Sequence, residues 1–329
     1  MKSLFTILLI LPLTCLAQYT YNHLQVNFLE TPALTKNYTY QNLRLYPVYA
    51  KESFKAQFKT LGKYMSLQEA IQRKKLKITE KLGGGSVNNL TVENISADTI
   101  IIICGDVIKG GQQDRIVQKD IVLKPKSNKQ NLDVFCVESG RWSARNEVIS
   151  ARPTNNVSAQ EGAKFENYYN KGAMGLRKVV EKEKDQSKVW QKVEEMNLVN
   201  KTTTPTKTYT ALSNSTDFNN KLAGYIKFFK DKFAADTSII GVIVVTGNQV
   251  LGCDMFATPA LFKSQYQSLL HSYATEVILK GQPVTASISV VKIYIDKLLK
   301  DENTQKATLK QKGNAFIENG KKLRVSSFD

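Results

Sequence analysis

Thr99-Ile100-Ile101-Ile102-Ile103-Cys104 is apolar without alternation. A short β-branched run of that kind reads as a strand covered on both faces. Before it, Leu76-Lys77-Ile78-Thr79-Glu80 alternates as a half-buried strand does, and Gly83-Gly84-Gly85 then breaks the chain. Val87, Leu90, Val92 and Ile95 mark a further strand with a slip at Asn88-Asn89. After it come 116–123 and 132–137, separated by the turn-rich Pro125-Lys126-Ser127-Asn128. Strands at roughly ten-residue spacing with no helix between them form the pattern of an antiparallel sandwich or meander. The stretch 18–145 is therefore expected to be β-rich. A short helix should follow Ser66-Leu67-Gln68-Glu69, which has the form of a capping box, and end near Arg73-Lys74-Lys75.

After Gly172 the apolar period changes. Leu176, Val179, Val180, Val189, Trp190, Val193 and Met196 recur at three and four residues, as one face of a helix would. A second helix fits 218–233, and Thr258-Pro259 supplies the N-cap and first-turn proline of a third through Leu279. Residues 287–299 fit a fourth, although Ile288, Val290, Val291, Ile293 and Ile295 also suit a strand. Two hairpins are expected, 239–245 with 250–255 across Gly247-Asn248, and 315–325 across Asn319-Gly320. Residues 201–216 are rich in Thr, Ser, Asn and Pro, lack a periodic apolar face, and predict an exposed linker. The fold class is thus α+β, with a β-rich, sandwich-like N-terminal half (18–145) packed with a C-terminal α+β half (146–329) of helices and hairpins. The two could form one composite domain.

The chain has 329 residues, 42% hydrophobic and 23% charged, enough to bury a sizeable core and too apolar for global disorder. Lys2 precedes an apolar run from Leu4 to Leu13 and the tail Thr14-Cys15-Leu16-Ala17, which predicts a secretory signal (1–17) cleaved after Ala17. The mature protein would then be periplasmic or extracellular. A lipid-modified Cys15 is the rival reading, but Thr14 and Pro12 stand where that signal expects a small residue and a leucine. Residues 1–17 hold one lysine and no acid, so the formal charge of +17 becomes +16. No membrane span is expected in the mature chain. The excess is concentrated: nine basic residues face three acids over 51–81, and eight face three over 297–324. Such clusters suit an anionic ligand or envelope component as partner, or simply a solvated surface. No recognisable nucleic-acid fold accompanies them, which argues against nucleic acid.

Cys104, Cys136 and Cys253 remain after cleavage. Cys104 with Cys136 is the natural disulfide candidate, and the alternative is three small buried apolar groups. With no Cys-x-x-Cys and only His23 and His271, a metal centre or a Ser-His triad has almost no material, and no cofactor is expected. Polar groups gather in two stretches between apolar arms: Gly105-Asp106 to Arg115, and Cys136-Val137-Glu138-Ser139-Gly140-Arg141-Trp142. Gln113, Arg115, Glu138, Arg141 and Trp142 are the candidate ligand-binding set, arginine offering a bidentate fork and tryptophan a stacking face. The same set could instead pin a sandwich corner, with Glu138 paired to Arg115 or Arg141 and Trp142 plugging the core. The catalytic candidates are Glu138 as acid or base, Asp106 or Asp114 as its carboxylate partner, and Cys136, which shares a strand face with Glu138 but has no histidine near it in sequence. Gly83 to Gly85 lacks the Lys-Ser/Thr of a phosphate loop and reads as a bend.

Several of these pieces together carry a resemblance. Ile78-Thr79-Glu80, Val92-Glu93-Asn94, Gly105-Asp106, Gly111-Gln112-Gln113-Asp114-Arg115 and the segment Cys136 to Trp142 resemble a bacterial domain family of uncharacterised function. It is named for its association with ADP-ribosylglycohydrolase and rhodanese-phosphatase superfamily proteins. Ser187-Lys188-Val189-Trp190, Gly241 to Val244, Asp254-Met255-Phe256, Pro259 to Phe262 and the closing Ala315 to Phe328 agree, so the resemblance covers most of the mature chain. Asp106 departs from the glutamate of many relatives, and the Thr-rich 201–216 stretch looks particular to this chain. The resemblance implies no catalytic residue. Two functions follow as expectations: an exported binding or interaction module, or a hydrolase acting on an ADP-ribose-like, phosphorylated or glycan substrate.

Overall fold

The computed structural model describes residues 18–81, 88–141 and 164–329. The expected signal (1–17), Gly83 to Gly85 and Trp142 lie outside the described residues. Within them the protein is α+β, built on three sheets. The largest has seven strands. Its path runs Leu24–Val26, Leu43–Ala50, Ile239–Thr246, Gln249–Phe256, Lys321–Phe328, Gly313–Glu318, with Thr39–Tyr40 paired to Leu43–Ala50. It therefore joins early and late chain in one layer, because Leu43–Ala50 pairs antiparallel with Ile239–Thr246. Both late hairpins lie in it, and the turn of the second places Asn319 and Gly320 at positive φ, 48° and 71°, as a tight primed turn requires. The 22-residue helix Pro259–Lys280, capped by the Thr258 hydroxyl, and the helix Ile288–Leu299 share its core. Helix prevails over strand at 288–299 because Val291, Tyr294, Ile295, Leu298 and Leu299, which fall on one face at three- and four-residue spacing, are the residues buried.

A three-stranded sheet (Ile121–Leu123, Ile100–Ile102, Met65–Ser66) and a six-stranded one complete the β structure. The six-stranded order is Phe165–Lys171, Asp106–Gly110, Arg115–Val117, Gln130–Cys136, Asn89–Asn94, Leu76–Glu80. Its end strands come back together at a Thr79–Lys164 bridge, so the sheet curls toward closure rather than lying flat. The isoleucine run sits between two cores. Ile101 and Ile103 face the core of the large sheet, whereas Ile100 and Ile102 join Ile78, Leu90, Val92, Leu132 and Val134. Each fully buried isoleucine is worth about 1.5–3 kcal/mol, so a strand with two apolar faces anchors both layers. The short helix Leu67–Gln72 begins at the Ser66 cap as expected.

The outer face of the six-stranded sheet is covered by Met174–Lys178, a five-residue π turn at Val179–Glu183, and the helix Gln186–Val199. Lys184, at φ 53°, ends the first arm, so the helical pattern read as one element is two. Beyond it the structure corrects the expected linker. Residues 209–214 form a 3-10 turn, and Thr208, Tyr209, Thr210, Ala211 and Leu212 are buried. Tyr209 and Leu212 fill the core under the sheet, while the hydroxyls of this strap are consumed by a carboxylate. A polar segment can be internal when each polar group has a partner waiting.

Candidate functional site

The two polar stretches meet because their strands pair. Arg115 lies directly opposite Cys136 in the antiparallel register, which sets 113–115 against 136–138. The Val137 amide donates to the Asp114 carbonyl at 3.0 Å, and the Asp114 amide donates to Glu138 Oε2 at 3.1 Å. Gln113, Arg115, Glu138 and Arg141 are thus brought together. Gln113, Asp114, Arg115 and Glu138 are buried, and the Arg141 side chain is only 12% exposed. Arg141 donates Nε and Nη2 to Glu138 Oε2 at 3.0 and 2.7 Å and Nη1 to the Gly111 carbonyl at 2.9 Å. Arg115 turns away from Glu138 to Glu80 Oε1 at 3.2 Å, and the Gln112 amide donates to the same oxygen at 3.0 Å. Glu80 can approach because residue 111 is glycine: a Cβ there, at φ +49°, would fall 2.2 Å from the Phe165 ring and 2.7 Å from Glu80 Oε1.

Asp114 links this cluster to the strap. One oxygen accepts the Gly110 amide at 3.3 Å, with Arg141 at 3.7 Å. The other accepts the Thr208 and Thr210 hydroxyls at 3.0 and 3.1 Å. The Gly140 amide donates to the Thr206 carbonyl, and the Tyr209 amide to the Val137 carbonyl. The cluster therefore clasps the strap. From there the chain borders a cavity of about 600 Å³, walled by Thr202, Thr203 and Thr204 on one side and by Asn214, Ser215 and Asp217 at the start of the helix Thr216–Phe229 on another. Lys201 and Lys221 stand at it, and Val199, Ile278 and Leu279 give it an apolar patch.

Of the catalytic candidates, Glu138 and Asp114 sit together, with Arg141 Nη2 2.7 Å from the one and 3.7 Å from the other, and Asp106 stands apart. Asp106 does not pair with Glu138; it accepts from Lys171 Nζ at 2.5 Å and from the Tyr168 hydroxyl at 3.0 Å. Burial works to raise the Glu138 carboxyl, but the hydrogen bonds from Arg141 and the Asp114 amide prevail and hold it below its usual value. The three described cysteines are buried and none is in a disulfide, so Cys104 and Cys136 are not bridged. Burial pushes Cys136 up to about 11 and Cys253 to about 12, and raises Cys104 well above its ordinary value. None is a ready nucleophile at neutral pH. His271 is buried and lowered by that burial to about 4. Among the described residues no cluster of His, Cys, Asp and Glu could hold a metal ion, and no helix is long and apolar enough to cross a membrane.

A second polar network escaped the sequence reading. Where the sheets meet, Arg177 donates to both oxygens of Asp254, at 3.0 and 2.5 Å, and the Tyr273 hydroxyl adds a bond at 2.8 Å. Arg324 reaches Asp120 at 2.9 Å and both Glu181 and Asp254 at 3.4 Å. Arg177, Arg324 and Asp254 are at most 1% exposed. The available signal was a charge inside an apolar strand, as in Leu323-Arg324-Val325 and Cys253-Asp254-Met255.

Residues 32–328 match the ARG and Rhodanese-Phosphatase-superfamily-associated Protein domain. The chain belongs to this family. No curated protein and no solved structure matches it. The family name records an association rather than an activity, so for this member of the ARG and Rhodanese-Phosphatase-superfamily-associated Protein family the functional reading rests on its own geometry.

Proposed function

We propose that the protein is an exported binding module whose recognition site is the cavity beside the threonine-rich strap. The carrying observation is the way the strap is held: Asp114 takes both the Thr208 and Thr210 hydroxyls, and the residues just before them wall the cavity. In this reading Asp114, Glu138 and Arg141 position the recognition site instead of touching ligand. The volume, about 600 Å³, falls in the range of small-molecule sites, roughly 300–1,000 Å³. A hydrolase working through Glu138 has less support, because that carboxylate is buried, held below its usual pKa, and bonded at Oε2 by Arg141 and the Asp114 amide. Export is supported by the charged start and apolar run of 1–17 and by the basic mature chain.

Thermal-shift screening of the mature chain against sugars, nucleotides, amino acids and carboxylic acids tests the reading. At least one class should raise the melting temperature, and Thr203→Trp, which fills the cavity mouth from an exposed position, should remove the shift. A ligand shift that survives Thr203→Trp would move the site elsewhere, and no shift from any class would end the reading.

A further inference from the structure

We infer that the cavity takes a neutral, hydroxyl-dense ligand, a mono- or disaccharide, in preference to an anion; this rests on the cavity being the recognition site. The lining supplies donors and acceptors in mixture. Thr203, Thr204 and Ser215 bring hydroxyls, Asn214 brings a carboxamide, and Asp217 beside Lys221 brings an acceptor and a donor 2.7 Å apart. Hydroxyls and carboxamides both give and accept, and a carboxylate can receive two adjacent hydroxyl protons at once, which is the pattern a polyol presents. The Thr204 hydroxyl oxygen is shielded from solvent and has no hydrogen-bond partner among the described residues. A buried unmade bond of that kind costs free energy, and a turn of the Thr204 side chain toward the cavity it lines would let a ligand hydroxyl recover it. Val199, Ile278 and Leu279 offer an aliphatic patch to the C–H face of a pyranose ring.

An anion is disfavoured by what already occupies the positive features of the site. The Ser215 hydroxyl caps the Phe218 amide at 3.2 Å, and Asp217 stands in the first turn of the same helix, where its carboxylate meets the helix dipole. Lys221 is neutralised by that carboxylate. Lys201 alone among the described residues brings the cavity a cation without an ion pair, and the Asp217 carboxylate would repel an entering phosphate.

The test uses the mature chain with 13C-labelled isoleucine, leucine and threonine methyls, and follows Ile278, Leu279 and Thr204 on titration. The neutral arm is glucose, N-acetylglucosamine, galactose, maltose and cellobiose; the anionic arm is glucose 6-phosphate, glucuronate and inorganic phosphate. A neutral saccharide should shift those methyls in a saturable way with little dependence on salt. Thr204→Val, which keeps the shape and removes the hydroxyl, should weaken it about tenfold, the loss of one good hydrogen bond. Asp217→Asn should weaken it as well, and circular dichroism of each variant should match the wild type. Saturable shifts from the anionic arm alone would overturn the ligand class and leave the cavity as the site. Silence in both arms would overturn this inference, and the earlier reading too if the wider thermal screen is also silent. Saccharide binding unchanged by Thr204→Val and Asp217→Asn alike would remove those residues and the inference with them.

Discussion

Asp254→Asn should be among the most damaging isosteric changes in the protein. The carboxylate is wholly buried, bonded twice by Arg177 and once by Tyr273, with Arg324 at 3.4 Å. Burial pushes its pKa up, yet the Arg177 and Arg324 guanidiniums bring it down to about 2. Against an unfolded value of about 3.9, that depression is worth on the order of 3 kcal/mol at neutral pH. The contribution is present above about pH 4 and lost as pH falls toward 2. Asparagine removes it and takes from the buried Arg177 guanidinium its carboxylate partner, while Arg324 keeps Asp120 and Glu181, so the total cost is about 3–5 kcal/mol. That is a large share of the roughly 5–15 kcal/mol that stabilises a domain. Glu181→Gln is the control. Asp106, Asp120, Glu181 and Asp254 face only Lys171, Arg177 and Arg324 here, and burial pushes the Glu181 carboxyl up despite Arg324. Neutralising that carboxylate discards surplus negative charge, and a glutamine oxygen still accepts the Ser326 hydroxyl that Glu181 holds at 2.7 Å. It should change stability by no more than about 1 kcal/mol. Urea unfolding at pH 7, followed by circular dichroism, measures both. Equal losses, or a loss below about 1 kcal/mol for Asp254→Asn, would refute the charge accounting.

Three further outcomes are expected. Asp114→Ala should cost about 2–4 kcal/mol by stranding the Thr208 and Thr210 hydroxyls, and limited trypsin digestion should then open Lys201 and Lys207 before other sites; uniform cleavage would show that the strap is not specifically held. An aromatic disulfide reagent at pH 8 should find no reactive thiol in native protein spanning residues 18–329 and three after denaturation, because burial raises Cys104, Cys136 and Cys253; rapid native labelling would contradict that burial. His271 is buried neutral, with a folded pKa of about 4 against about 6.5 unfolded, so the unfolded chain binds the proton first. Stability should fall by about 3 kcal/mol between pH 6.5 and 4, and His271→Gln should flatten that slope.

What was legible in the sequence follows from local physics. The isoleucine run announced a doubly covered strand, Thr258-Pro259 a helix start, and Asn319-Gly320 a hairpin, because each depends only on neighbours in the chain. The convergence of Gln113 with Arg141 was legible in part: Arg115–Val117 and Gln130–Cys136 are near in sequence and pair, but Ile121–Leu123 between them leaves for the three-stranded sheet, which splits the single strand expected over 116–123. The partners were not. Arg115 finds Glu80, 35 residues away, and Asp106 finds Lys171 at 65, choices set by how the sheet curls. The strap misled because its polar composition resembles a solvated linker, and only the fold reveals that Asp114 awaits Thr208 and Thr210.

The arginine at 324 shows what a buried charge contributes beyond stability. Apolar side chains of similar volume often replace such networks without loss, so stability alone does not account for it. Register does. Arg324 sits opposite Phe256 on one neighbouring strand and opposite Phe316 on the other. A slip of one residue would turn every side chain of Lys321–Phe328 to the opposite face. An apolar strand so displaced would lose packing in part, since Leu323 and Val325 could still find apolar surroundings. A displaced Arg324 would leave Asp120, Glu181 and Asp254 facing one another without their shared cation, at a cost of several kcal/mol. The guanidinium therefore penalises the wrong pairing more than it rewards the right one, and it does so at the junction where the large sheet, the 118–120 loop and the Arg177–Glu181 segment must all agree.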